Sequence, residues 1–234
     1  MTESTTQSAT QLPTQLDAWR PRLAALAAHH ADTDGAHDAS HLERVWRNAR
    51  SLMAEHLEAD ALVVLAACYL HDLVNLPKND PRRAQASRLS AELARAELAK
   101  LGFPGAKLDA VAHAIEAHSF SAAIPATTIE AKIVQDADRL DGLGAVGLAR
   151  MFYIAGRMGS SLAHGADPLA LARPLDDRAY SLDHIPVKLA RLPGMMQTAA
   201  GRRLGEARLA MLESFRLAFA EEWNGAENLA QQQL

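Results

Sequence analysis

The 234-residue chain carries 24 Lys and Arg against 28 Asp and Glu, a formal net charge of -4, and a single cysteine, Cys68. That balance excludes a general attraction to nucleic acid or an anionic membrane, and one cysteine excludes an intrachain disulfide or a cysteine-cluster zinc site. Hydrophobic residues make up 49% of the chain but aromatics only 5%, a composition that predicts an all-α fold with one substantial core.

Residues 1–14 are polar and lack the basic and apolar regions of a signal peptide, so they are read as a disordered tail of a protein of the reducing cytoplasm. No uninterrupted apolar run is long enough to span a bilayer. Leu16, Trp19, Leu23, Leu26 and Ala27 recur at helical spacing and predict a first helix ending at His30. Its start is placed near Pro21, because proline is tolerated only near a helix start or at a kink. After a break over 31–36, a second helix is expected from His37 to about Leu57, with Val45, Trp46, Ala49 and Leu52 on its buried stripe. His41 lies on or beside that stripe, one turn before Val45.

The third segment, residues 59–74, is apolar around most of its circumference and delivers His71 and Asp72 into the interior. Burying a carboxylate costs several kcal/mol unless a cation or a hydrogen-bond network compensates, so the pair needs a partner. Two prolines and two asparagines make 75–81 a turn-rich loop. Further helices are predicted over 84–101 and 108–118. Another opens near Pro125, Thr127 and Thr128 and runs to Asp136, Asp138, Arg139 and Asp141. Gly142, Gly144 and Gly147 permit close helix packing and do not form a phosphate loop, since no strand precedes them. Residues 158–177 read as a surface excursion or lid, 184–192 and 197–223 as helices, and 225–234 as a frayed tail. The expected organisation is one domain over 15–224, with a metal core at 37–141 and additional C-terminal helices at 178–224.

Taken singly, a buried histidine is an ordinary hydrogen-bonded core residue and Asp138 an ordinary partner for Arg139 or Arg44. Taken together, His37-Asp38-Ala39-Ser40-His41, then Leu70-His71-Asp72, then Asp136-Ala137-Asp138-Arg139-Leu140-Asp141 resemble the three motifs of the HD superfamily of metal-dependent phosphohydrolases. The resemblance covers roughly residues 16–157 and extends more loosely to 188–208. Pro77-Lys78-Asn79 and His118-Ser119-Phe120 make the chain most similar to the bacterial YedJ-like branch. It implies an HD-type helical bundle in which His41, His71, Asp72 and Asp138 hold one divalent ion (Mn, Mg, Co, Ni, Fe or Zn). Two imidazoles and two carboxylates leave open positions for water and a phosphoryl oxygen, as metal-assisted hydrolysis requires.

The implied substrate is a small phosphorylated metabolite or a nucleotide, with Lys78, Arg82, Arg83 and Arg139 as candidate phosphate-binding cations. Nucleotidase members carry a helping acid shortly after the His-Asp doublet. Here that position is Asn75, which can orient water but cannot take its proton; this shifts attention to Asp80, His118 and Asp141. His113 and His118 point about 140° apart on one helix and do not readily chelate a common ion. One metal is therefore expected, with His118 lining the pocket and His113 structural. Two alternatives stay open: a regulatory module that binds metal or nucleotide without turnover, and a di-iron oxygenase with His113 or His118 as an extra ligand. Neither a membrane nor a nucleic-acid partner is expected, and the apolar and small-residue faces of the later helices suit a homodimer.

Overall fold

Helix α3 (Ala61–Leu70) consists almost entirely of apolar side chains, and nine of its ten residues are buried. A helix without a polar face must be surrounded. α3 packs against α1 (Gln11–His30), α2 (Ala39–Met53), α4 (Ala86–Lys100) and α5 (Leu108–His118). The computed structural model describes residues 11–30, 39–76, 80, 82–119 and 122–225. His37, Lys78 and Phe120 lie outside these. The described residues form an all-α fold without a β-strand; one isolated bridge joins Ser161 and Tyr180. None of the helices is long and apolar enough to cross a membrane.

The chain divides into two compact units, the first ending at Asp138 and the second beginning at Arg139, so that the boundary falls inside α6 (Ile129–Asp141). In the first unit α1 starts at Gln11, earlier than proline placement predicts, and carries Pro21 in its interior. An interior proline costs about 3 kcal/mol. Leu23 and Trp19 are both buried, and burying each such side chain contributes about 1.5–3 kcal/mol, which offsets that cost.

Polar ties set the positions of the helices around α3. Asp60 caps its N-terminus, accepting from the backbone N–H groups of Leu62 (3.0 Å) and Val63 (3.3 Å). It also pairs with Lys107, while its own N–H donates to Glu130 Oε1 at 2.9 Å. At the other end Tyr69 donates to Glu43, and Arg20 donates to both Tyr69 (3.0 Å) and Glu43 (2.5 Å), which joins α1, α2 and α3. Thr128 opens α6, its hydroxyl accepting from the Ala131 N–H at 3.2 Å.

In the second unit α7 (Gly144–Arg157) packs against α9 (Ala199–Asn224). Gly147 has the closest constraint, since a Cβ there would sit 2.2 Å from the Gly142 backbone. Gly144 adopts φ +68° beside the Arg208 side chain, a backbone region open to glycine. The helix expected over 184–192 is broken into α8 (His184–Val187) and short 3-10 turns. Pro186 and Pro193 lack the N–H groups a continuous helix needs. Across 158–183 the chain has no long element. It is pinned by the Arg173–Asp183 ion pair (2.6 Å) and by Asp167, which accepts from the N–H groups of Leu171 and Ala172.

Asp60→Ala removes both the α3 cap and the Lys107 pair. It is expected to lower unfolding stability by about 1–2 kcal/mol in urea denaturation; an unchanged midpoint would show that the cap contributes nothing.

Candidate metal centre

α3 ends at Leu70, not at the expected Val74, and His71 occupies its C-terminal cap. The His71 ring explains the stop: its Nδ1–H donates to the Cys68 carbonyl at 2.9 Å, satisfying a carbonyl the ended helix leaves open. A carbonyl only accepts, so Nδ1 carries the proton and Nε2 offers a lone pair. His118, the last residue of α5, repeats the device with Nδ1 on the Ile115 carbonyl at 2.6 Å.

Those nitrogens face two overlapping groups of donors that share His71. His41 Nε2 lies 3.3 Å from His71 Nε2 and 3.5 Å from Asp138 Oδ1; His71 Nε2 lies 3.8 Å from Asp138 Oδ1 and 3.5 Å from Asp72 Oδ2. His118 Nε2 approaches the other Asp72 oxygen, Oδ1, at 3.5 Å. His41, His71 and His118 are buried, and the two carboxylates are partly exposed. The donor set fits a divalent transition ion. Donors bound at about 2.1 Å stand ~3 Å apart in adjacent octahedral positions and ~4.2 Å apart in opposite ones, and the spacings among His41, His71 and Asp138 fall between.

Two side-chain ties flank Asp138. Asn48 Nδ2 donates to the Ala137 carbonyl at 3.0 Å and Gln135 Nε2 to the Ala117 carbonyl at 2.6 Å, fixing α6 to α2 and α5. Neither residue figures among the sequence candidates. Their spacing carries a signal nonetheless: Asn48 lies seven residues after His41 and Gln135 three before Asp138, so each shares a helix face with a ligand.

Burial pushes the His71 imidazole down to about 4, against weaker pulls from Asp72 and Asp138, so it is neutral and ligand-ready near neutral pH. Burial also works to raise the Asp138 carboxyl, but His71, His41 and His118 outweigh it and hold the group below the usual carboxylate range. For His118 burial opposes the charge, while the bond to Asp72 and the charges of Asp72 and Asp138 prevail and raise it.

The other candidates take varied positions. Asp80 accepts from Arg82, both from its backbone N–H (2.7 Å) and from its guanidinium (3.0 Å), which holds the Asp80 carboxyl below its ordinary range. Arg83 donates to the Leu76 carbonyl, and Asn75 is half-buried three residues past Asp72. In the second unit Arg139 donates to the Met195 carbonyl at 2.6 Å. Asp141, suspected from sequence as a catalytic group, is buried in an ion pair with Arg150 at 2.6 Å. His113 turns to Thr127, accepting from its N–H at 3.2 Å.

The HD domain family model matches residues 38–143, a span that contains every member of this cluster. YpgQ of Bacillus subtilis (strain 168) is 34% identical over 195 residues, covering 82% of this chain and 84% of the relative. The chain belongs to the HD superfamily. The crystal structure of an HD-superfamily hydrolase from Bacillus thuringiensis is similar to it, with 28% identity, TM-score 0.68, and coverage of 92% of this chain and 99% of that one. The structure of B. subtilis YpgQ in complex with ADP is similar at 30% identity and TM-score 0.65, covering 90% and 95%. As an HD protein, the chain offers His and Asp groups for a metal where the fold brings α2, α3, α5 and α6 together.

The depressed His71 value gives a pH dependence of stability. The unfolded chain binds this proton below about 6.5 and the folded chain only below about 4, so stability falls as pH drops through that window, by up to about 3 kcal/mol. His118, being raised, contributes in the opposite direction: its stabilisation is present at low pH and is lost as pH rises through its folded value. In metal-free buffer the native protein should lose more stability between pH 6.5 and 4 than His71→Gln; parallel curves in denaturant titrations would contradict the assignment.

Proposed function

We propose that the chain is a metal-dependent phosphohydrolase acting on a small phosphorylated metabolite, with a nucleotide as the favoured class. The observation that carries this reading is the convergence of His41, His71 and Asp138 from separate helical segments at spacings suited to one cation, with Asp72 beside His71. The ADP in the YpgQ complex supports the nucleotide class.

His41, His71, Asp72 and Asp138 would hold the ion, which when bound acidifies a water and polarises a phosphoryl oxygen. The remaining roles belong to side chains of this chain. Asn75 presents an amide that orients the attacking water. His118, buried against Asp72, keeps that carboxylate in register and lines the reacting space. Arg82, the exposed partner of Asp80, is the candidate cation for the phosphate, and Asp80 fixes the guanidinium direction. Because Arg82 holds Asp80 ionised and weakly basic, Asp80 serves better as an orienting group than as a proton acceptor. Lys78 and Arg83, on the same stretch, add positive charge, and Arg139, next to Asp138, is the further candidate cation.

Purified protein assayed with Mn²⁺, Co²⁺, Ni²⁺, Mg²⁺ or Zn²⁺ against nucleoside mono-, di- and triphosphates and simple phosphate esters tests the reading. Phosphate or pyrophosphate release that requires metal is expected, with His71→Ala and Asp138→Ala lowering kcat/KM by at least about 100-fold. Arg82→Ala should raise KM roughly 10-fold with a smaller effect on kcat. Stoichiometric nucleotide binding without turnover under every metal would instead favour the regulatory module.

A further inference from the structure

One face of α9 is exposed along its whole length. The other face is taken up inside its own unit: Gly201, Gly205, Leu212 and Ala220 are buried, and Arg208 and Arg216 on that side donate to the Leu140 and Leu169 carbonyls. At about 100° per residue the opposite side carries Ala207, Ala210, Ser214 and Ala218. Leu204 and Met211 run along one edge of this stripe and Leu217 along the other, exposed by 38%, 39% and 56%. Ser214 turns its hydroxyl back to the Ala210 carbonyl at 2.9 Å, so the stripe is small and apolar. The charges at its ends run against the helix. An α-helix favours acids near its N-terminus and bases near its C-terminus. α9 has Arg202 and Arg203 in its opening turns and Glu221 and Glu222 in its last, with no acid in the first turn and no base in the last.

We propose that this face of α9 is the interface of a homodimer in which the helices of two copies pair antiparallel. The inference is independent of the metal chemistry. Charge order that costs one helix suits two: an antiparallel copy lays its acidic end beside the basic end of the first, and the two helix dipoles oppose. The spacing supports a single two-fold axis. Arg202 with Glu222, and Arg203 with Glu221, are both centred on residue 212, so one axis there sets both arginines opposite both glutamates of the second copy. In that register Leu217 is level with Ala207 of the second copy, and Leu204 comes within one turn of its Ala218, large side chains over small ones. Met211 lies beside its own counterpart. Arg203 and Glu221 fall on the stripe itself, whereas Glu206 and Glu213 fall to its side, so the charges in line with the contact are complementary.

Analytical ultracentrifugation of the full-length protein over a range of concentrations tests this. A monomer–dimer equilibrium is expected. Glu221→Arg combined with Glu222→Arg should weaken dimerisation by at least about 10-fold, and because that change suits the dipole of α9 the monomer should stay folded. Adding Arg202→Glu and Arg203→Glu to the same chain should restore the dimer, which no loss of folding could mimic. Met211→Cys gives a check that alters no charge: at the axis, its thiol should cross-link two copies on mild oxidation, the native Cys68 being buried. A native protein that is monomeric at every concentration would overturn the proposal and leave the face to a different kind of partner. A dimer that ignores the charge reversals and resists the cross-link would overturn α9 as its interface.

Discussion

The hydrogen bond from His71 to the Cys68 carbonyl ties the fold to the chemistry. It closes the C-terminus of the most deeply buried helix, and the same bond fixes which ring nitrogen faces the cluster. Had α3 continued a further turn, that carbonyl would have accepted from a backbone N–H and the ring would have lost its anchor. A neutral imidazole held this way costs the interior little, because one nitrogen is satisfied by the protein and the other awaits a cation.

The rest of the first unit limits how far the cluster can relax. Tyr69 and Arg20 meet Glu43 between α1, α2 and α3; Asn48 and Gln135 hold α6 on either side of Asp138; Ser90 accepts from the Val74 N–H at 3.0 Å just past the doublet. Each such bond contributes about 1 kcal/mol net, whereas a buried charge left without a partner costs several. The arrangement therefore holds neutral His71 and partly exposed carboxylates in a fixed cluster that a bound divalent ion would bridge. Function and stability are coupled through the same few atoms.

Much of the site was legible in the sequence because its signals are local. An apolar run that stops at His71-Asp72, His41 one turn before Val45, and Asp138 within a broken apolar pattern each mark an inward polar group, and their order identified the superfamily. What stayed hidden depends on tertiary partners. The helix end at Leu70 follows from where the His71 ring turns. The Arg82 bond to Asp80 and the Arg150 bond to Asp141 are choices among several nearby charges that spacing does not rank. The start of α1 at Gln11, ahead of Pro21, is hidden for a related reason, since a local penalty is outweighed by burial that only the folded unit supplies.

The proposed chemistry requires one cation among these donors. Anomalous diffraction from crystals grown with manganese or cobalt, recorded on both sides of the metal's absorption edge, measures this directly. The prediction is one strong peak per chain, within about 2.0–2.3 Å of His41 Nε2, His71 Nε2 and an oxygen of each of Asp72 and Asp138. A map with no peak at that point, or with the ion bound elsewhere and the four side chains bonded only to one another, would contradict it.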